Sequence, residues 1–256
     1  MAGHSKWANI KRQKARVDAV KGKIFTKISR EIIVAARQGA DPEGNFQLRT
    51  AIDKAKAAGI PNDNIDRAIA KGAGKWGSEH SILEAIQYEG YGPSGVAILM
   101  EALTDNRNRT AADLRAALSK HGGNLGETGC VGWLFDQRGV VTVLPKGKQA
   151  QVDEETLLEV CIEGGADTYE LTEVDEEPAA ELVTEILNLE QLSQFCRKFG
   201  YQVVQAELRW IPQNTVEITE SDQARQLLKL MDALEDLDDV QTVTANFEMS
   251  DELLAC

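Results

Sequence analysis

Histidine and cysteine are among the side chains in this sequence that could act as nucleophiles, general bases or metal ligands. His4, His80 and His121 lie in three different contexts, and none belongs to a nucleophile–base signature. The cysteines are Cys130, Cys161, Cys196 and Cys256. They are widely spaced and form no Cys-x-x-Cys pair, so neither a zinc site nor a redox motif is indicated. We therefore expect a protein that is not an enzyme and that binds no metal or cofactor.

Two glycine-rich stretches could contact phosphate or a partner backbone. Residues 90–95 lack the Gly-Lys-Ser/Thr ending of a phosphate-binding loop and do not open a helix, which favours a β-turn. Residues 122–126 follow a predicted helix. They are interpreted either as a helix C-cap with its loop or as a flexible loop that lies close to a partner.

The basic N-terminus is the strongest candidate for a binding site. The chain carries a net charge of -13, yet residues 1–40 hold 10 Lys+Arg against 2 Asp+Glu, and residues 151–256 hold 5 against 26. Like charges gain little from pairing within a helix, so a polyanion is the expected partner, although a solvated face is the alternative. Aromatic and polar side chains between the charges can stack on bases or hydrogen-bond to them. The candidates here are His4, Lys6, Trp7, Lys11, Arg12, Lys14 and Arg16.

The next segment has two different faces. Residues 7–21 are predicted as a helix with basic residues all round, and residues 23–38 as a second helix with an apolar face. On the side opposite that face, within about 80° of the helical wheel, four cations form a basic stripe. The stripe consists of Lys23, Lys27, Arg30 and Arg37. We expect these side chains to be exposed and to bind nucleic acid.

Residues 104–110, with the sequence TDNRNRT, join a predicted strand to a predicted helix. Their Asp, Asn and Thr side chains suit a helix N-cap. Arg107 and Arg109 could instead make bidentate contacts with phosphate, and both interpretations stay open. The acidic run at residues 235–239 lacks the calcium-loop pattern and is interpreted as a solvated helix end.

The order of predicted elements indicates a multidomain α and α+β fold. Residues 1–78 are predicted as a basic helical domain. Residues 134–210 follow the β-α-β-β-α-β order of a ferredoxin-like domain, inserted into an α+β domain built from residues 79–133 and 211–249. Apolar runs such as Val96 to Met100 have at most five residues and are too short to span a bilayer. Without a signal peptide, a cytoplasmic location with reduced thiols is expected.

Seven sequence blocks together resemble the YebC/PmpR family. They are MAGHSKWANIK at 1–11, GKIFTK at 22–27, AIDKAK at 51–56, PNDNI at 61–65, YEGYGP at 88–93, TDNRNRT at 104–110 and GGNLG at 122–126. The resemblance covers essentially the whole chain. It is dense to about residue 145 and looser in the acidic last third.

The resemblance implies three domains and a cytoplasmic regulator rather than an enzyme. It favours a DNA-binding transcriptional regulator whose partner is promoter DNA. The alternative is a translation factor, or translational activator, that acts on the ribosome through ribosomal RNA, for example by relieving proline-rich stalls. Neither a membrane nor a small-molecule substrate is implied. Since the family brings no agreed set of catalytic or base-reading residues, the candidate site residues depend on the charge argument.

Overall fold

The computed structural model describes residues 18–74, 83–145, 152–174 and 177–254. The described residues form two compact units. One contains the chain up to Phe135 and again from Pro212, and the other is Asp136–Ile211. None of the described helices is long and apolar enough to cross a lipid bilayer.

Three helices form the N-terminal part of the first unit. They are α1 at Asp18–Ala36, α2 at Phe46–Ala57 and α3 at Asn62–Gly72. Gly22 lies inside α1, so the predicted boundary between two helices near this position is wrong for the described residues. The Asn45 side chain caps α2 by accepting from the Leu48 N–H at 3.0 Å, and its amide donates to the carbonyl oxygens of Ala35 and Gly39. One side chain therefore joins the end of α1 to the start of α2.

The core between these helices is built from the apolar face predicted for α1. Its largest fully buried side chains are Ile32 and Leu48. Gly72, at the end of α3, lies directly against α1. A Cβ atom at this position would overlap the carbonyl oxygen of Ile33 and would be 2.7 Å from the Cβ of Ala36. Only glycine allows the two helices to approach this closely.

A strand pair and a helix follow. They are β1 at Glu84–Tyr91, β2 at Ala97–Thr104, α4 at Arg107–Lys120 and the short edge strand β3 at Asn124–Leu125. β1 and β2 pair antiparallel, with Tyr88 opposite Met100. The glycine-rich stretch at 90–95 makes the turn between them, as predicted, with the Gly92 N–H donating to the Val96 carbonyl oxygen at 2.8 Å.

The second unit contains four strands and two helices. They are β4 at Phe135–Leu144, α5 at Glu154–Gly164, β5 at Thr168–Val174, β6 at Glu177–Thr184, α6 at Leu189–Phe199 and β7 at Gln202–Pro212. The sheet order is β5-β6-β4-β7. This is the arrangement of a ferredoxin-like domain, in which each crossover helix links strands that are not neighbours. The ferredoxin-like fold predicted for this stretch is confirmed.

The chain then returns to the first unit. The remaining elements are β8 at Val216–Glu217, α7 at Ser221–Glu235, β9 at Val240–Ala245, β10 at Phe247–Glu248 and α8 at Asp251–Leu254. β9 joins the earlier strands in a sheet with the order β3-β1-β2-β9. Apolar side chains of α4 and α7, including Leu114 and Leu227, form one core with this sheet.

The expected fold class, a helical domain with two α+β domains of which one is inserted in the other, is therefore confirmed. The predicted domain boundaries remain predictions.

The close approach at Gly72 leads to a stability prediction. Gly72→Ala should lower the free energy of unfolding by about 1–3 kcal/mol, because the added methyl group overpacks the contact with α1. Gly22→Ala is the matched control, since a Cβ atom there would meet nothing within 4 Å and alanine favours a helix interior. Chemical denaturation of both variants checks this. Equal stability of the two variants would contradict the prediction.

Candidate nucleic-acid interface

The first group of candidate residues belongs to the basic N-terminus. This group is His4, Lys6, Trp7, Lys11, Arg12, Lys14 and Arg16. All seven lie outside the described residues. Their role in binding nucleic acid stays a prediction based on charge and residue type.

Two lysines of the basic stripe contact the C-terminal end of α7. The Lys27 ammonium group donates to the carbonyl oxygen of Glu235 at 2.7 Å. The Lys23 ammonium group donates to the carbonyl oxygen and the carboxylate of Asp236, both at 3.3 Å. The last carbonyl groups of a helix have no partner within the helix and carry the negative end of its dipole. Lys23 and Lys27 satisfy these groups and connect the helical domain to the split α+β domain.

The two arginines of the stripe also have partners within the chain. One terminal nitrogen of Arg30 donates to the carboxylate of Asp239 at 2.9 Å and to the carbonyl oxygens of Asp238 and Leu103. Arg37 donates to the carbonyl oxygen of Leu83 at 2.6 Å. The Arg30 side chain is only 20% exposed.

The structure therefore corrects the expectation that the whole stripe is exposed. Its cations lie opposite the apolar face, as the helical wheel predicts. They nevertheless contact carbonyl and carboxylate oxygens of residues distant in sequence, because the ends of α7 and β2 come to lie beside α1. Their proposed role in binding nucleic acid is untested. Their contacts in the structure join the helical domain to the α+β domain.

Asp239 is the point where these contacts converge. Its side chain is buried, and one carboxylate oxygen accepts from Arg30. The other accepts from the hydroxyl groups of Thr104 and Thr110, at 3.1 and 2.8 Å, and from the Arg109 guanidinium at 2.8 Å. The interpretation of residues 235–239 as a solvated helix end is therefore wrong for Asp239, although Asp236 and Asp238 are exposed.

The environment of Asp239 keeps its carboxyl group ionised. Burial by itself would raise the pKa. The hydrogen bonds from Arg109, Thr110 and Thr104, together with the positive charge of Arg30, outweigh this effect and lower the pKa below its ordinary range. A buried carboxylate with four donors is stable only while its partners remain in place.

Arg107 and Arg109 stand at the start of α4, where capping and phosphate binding were both open interpretations. The capping interpretation is confirmed for Asn106, whose side chain accepts from the Arg109 N–H at 3.1 Å. Arg109 forms ion pairs with Asp105 and Asp239. Arg107 pairs with Glu84 but keeps 69% of its side chain exposed. A phosphate contact by either arginine stays a prediction, and Arg107 is the more accessible of the two.

The glycine-rich stretch at 122–126 runs from the end of α4 into an edge strand. Gly123 N–H donates to the Leu118 carbonyl oxygen at the end of α4, and residues 124–125 then pair with β1. The end of α4 and the pairing of β3 with β1 therefore position this stretch.

A second buried carboxylate, missed in the sequence, organises the loop that follows. Glu89 on β1 accepts from the N–H groups of Gly129, Val131 and Gly132 at 2.7, 2.6 and 2.6 Å. Burial acts to raise the pKa of Glu89, but these three hydrogen bonds outweigh burial and lower it. Strand alternation gives no signal for this role, because the acceptor and its donors are about forty residues apart.

The neighbouring Trp133 is held in place yet largely exposed. Its indole N–H donates to the Cys130 carbonyl oxygen at 3.2 Å, and the Tyr91 hydroxyl donates to the same oxygen at 3.1 Å. The side chain of Trp133 remains 68% exposed. Among the described residues, no group of three His, Cys, Asp or Glu side chains could hold a metal ion.

The fold and these contacts define a protein with a basic N-terminal helical domain and two α+β domains. Two family models match this arrangement. The model described as TACO1/YebC protein N-terminal domain matches residues 5–75, and the model described as TACO1/YebC second and third domain matches residues 83–247. The chain belongs to the TACO1/YebC family.

Individual relatives agree with this assignment. A protein of Gloeothece citriformis named "probable transcriptional regulatory protein" is 69% identical over 256 residues, which is 100% of this chain and 98% of the relative. A protein of Trichormus variabilis with the same name is 68% identical over the same shares. The crystal structure of a conserved hypothetical protein from Aquifex aeolicus superposes with a TM-score of 0.81 at 45% identity, covering 93% of this chain and 94% of the other. The curated relatives are thus named as regulators of gene expression.

The Asp239 contacts lead to a prediction of stability and its pH dependence. Asp239→Asn should lower the free energy of unfolding by about 3 kcal/mol at neutral pH, because it leaves the buried Thr104 and Thr110 hydroxyl groups and two arginine side chains without the carboxylate that they contact. A carboxyl group with a lowered folded-state pKa stabilises the fold at pH values above its unfolded pKa. That contribution is lost as the pH falls through the folded pKa. When the pH is lowered below about 4, the free energy of unfolding of the variant should therefore fall less than that of the wild type.

Urea denaturation between pH 7 and pH 2.5 measures both effects. Asp238→Asn is the matched control, since it removes the same charge from the neighbouring exposed position. If Asp239→Asn lowers the free energy of unfolding no more than Asp238→Asn does, the buried carboxylate does not stabilise the fold.

Proposed function

We propose that this protein is a regulator of gene expression that binds nucleic acid through the basic segment at residues 1–16. One observation carries the proposal. This segment contains five Lys+Arg and no Asp or Glu, whereas the four cations of the basic stripe have partners within the chain. Neutralisation of phosphate groups by such a segment releases counterions and provides affinity without reading the base sequence.

Promoter DNA is the target that the names of the curated relatives favour. On this proposal, the lysines and arginines of residues 1–16 contact phosphates. Trp7 and His4 provide the aromatic groups for contact with bases. The stripe has an indirect role, since its contacts join the helical domain to the α+β domain.

A translation factor that binds ribosomal RNA is the alternative, and one observation favours it. α1 carries the stripe, and its cations contact carbonyl and carboxylate oxygens of the chain rather than an open surface. A helix whose basic face is already engaged is poorly suited to the major groove of DNA. Recognition of RNA through phosphates, stacking and shape does not require such a helix.

Substitutions that remove positive charge test whether residues 1–16 bind nucleic acid. The triple variant Lys11→Gln, Arg12→Gln and Lys14→Gln should bind duplex DNA or RNA more weakly. The slope of log Kobs against log salt should become shallower by about 2–3, because each phosphate contact in a duplex contributes about 0.9. Fluorescence anisotropy titrations at four salt concentrations measure this slope.

The control variant removes three other cations from the described part of the chain. It carries Lys56→Gln, Lys120→Gln and Lys229→Gln, three exposed lysines for which the described residues provide no ion-pair partner. The control and the N-terminal variant each lose three positive charges, so they differ only in the position of these charges. Equal slopes for the two triple variants would mean that overall charge, and not the N-terminal segment, determines binding.

Crosslinking in cells followed by sequencing of the bound nucleic acid tests the target. Specific promoter duplexes with little ribosomal RNA are expected for a transcriptional regulator. Enrichment of defined ribosomal RNA segments, together with co-sedimentation with ribosomes, would replace promoter DNA by the ribosome as the target. Recovery of neither above background would overturn the proposal.

A further inference from the structure

A cleft of about 400 Å³ lies between the helical domain and the start of the split α+β domain. One wall comes from α1, and the others come from the end of α3, the residue before β1 and the residue after β2. Its size is within the range of sites for small molecules and cofactors.

Two cations line the cleft, Lys71 from α3 and Arg30 from α1. Lys71 is exposed and makes no hydrogen bond or ion pair with any described residue. Arg30 uses one terminal nitrogen for its contacts, so its other N–H groups have no partner in the described part of the chain. The carboxylate of Asp105 also lines the cleft, but it is paired with Arg109 at 2.9 Å. The unpaired donors therefore favour an anionic ligand such as a phosphate group.

Hydroxyl groups lie on the same wall as Arg30. The hydroxyl group of Ser29 has no partner among the described residues, although Ser29 is only partly exposed. The Thr26 hydroxyl donates to the carbonyl oxygen of Gly22 at 3.0 Å and still has lone pairs that can accept. These two groups can exchange hydrogen bonds with the hydroxyl groups of a sugar.

The remaining lining is apolar and includes an aromatic ring. Phe25 and Leu83 are partly buried, and Ile33 is buried. A flat aromatic group placed against Phe25 would gain stacking and lose contact with water. A free phosphate ion would leave this part of the cleft unused.

We propose that this cleft binds a phosphorylated nucleoside. Its phosphate group contacts Lys71 and the free edge of Arg30, its sugar contacts Ser29 and Thr26, and its base packs against Phe25. The same chemical unit has two sources, a free mononucleotide or one nucleotide of a bound RNA chain. The second source rests on the proposed function, whereas the first does not.

Calorimetric titration of the full chain tests the cleft with three small probes, 5′-AMP, 5′-UMP and inorganic phosphate. The wild type should bind at least one of these two nucleotides, or the RNA tetranucleotide described below, saturably and more tightly than phosphate. Lys71→Ala should weaken this binding by about 10-fold or more, because a charge-assisted hydrogen bond is lost, and Ser29→Ala should weaken it less. Lys56→Ala, an exposed lysine outside the cleft, should bind like the wild type. All three positions are partly or fully exposed, so thermal denaturation should show folds as stable as the wild type.

A single-stranded RNA tetranucleotide distinguishes the two sources. It is titrated into the Lys11→Gln, Arg12→Gln, Lys14→Gln variant, with and without Lys71→Ala, so that the basic segment contributes little. Lys71-dependent binding of the tetranucleotide alone identifies a nucleotide within RNA as the ligand, and Lys71-dependent binding of a mononucleotide identifies the free ligand.

Three results would overturn the inference: no saturable binding of any nucleotide probe, equal affinity of Lys71→Ala and the wild type, or binding of inorganic phosphate as tight as that of the nucleotides. If long nucleic acid still binds the wild type in such a case, the proposed function stands and only the cleft is rejected. If the nucleotides bind while long nucleic acid does not, the cleft stands and the proposed function fails.

Discussion

The buried carboxylate of Asp239 is the interaction on which the arrangement of the first unit depends. A charge removed from water must be compensated by hydrogen bonds and opposite charges. Here the compensation comes from three separate elements: Arg30 on α1, Thr104 at the end of β2, and Arg109 with Thr110 at the start of α4. Since these donors come from different parts of the fold, the carboxylate is satisfied only when the helical domain, the sheet and α4 are all in place.

This constraint changes the meaning of the basic stripe. The sequence groups ten Lys+Arg in residues 1–40 as one positive region. In the structure, the stripe directs its charge to helix-end carbonyl groups and to Asp239. The cations available to an external polyanion are therefore fewer than the charge count indicates, and the proposed binding segment narrows to residues 1–16. Arg30 also lines the cleft, and its contacts within the described residues use only one nitrogen of its guanidinium.

Glu89 shows the same physical principle within a single domain. A strand residue that alternation would place on a half-buried face instead collects three backbone N–H groups from a glycine-rich loop. These N–H groups have no partner in regular secondary structure, and the carboxylate provides one. The loop is consequently fixed beside β1, and it holds Trp133 in a defined position with most of the ring exposed.

Local patterns in the sequence were enough to predict the fold class and most of the secondary-structure elements, although they placed a break in α1 near Gly22 where the helix is continuous. The apolar face of α1, the cap at Asn106, the turn at residues 90–95 and the β-α-β-β-α-β order all follow from periodicity and hydrogen bonding among residues that are near in sequence. The tertiary structure decided instead which charged side chains contact other residues of the chain. Lys27 meets Glu235, and Arg30 meets Asp239, across more than two hundred residues. No periodicity records such a pairing, because it depends on which helix end is brought against which face when the cores close.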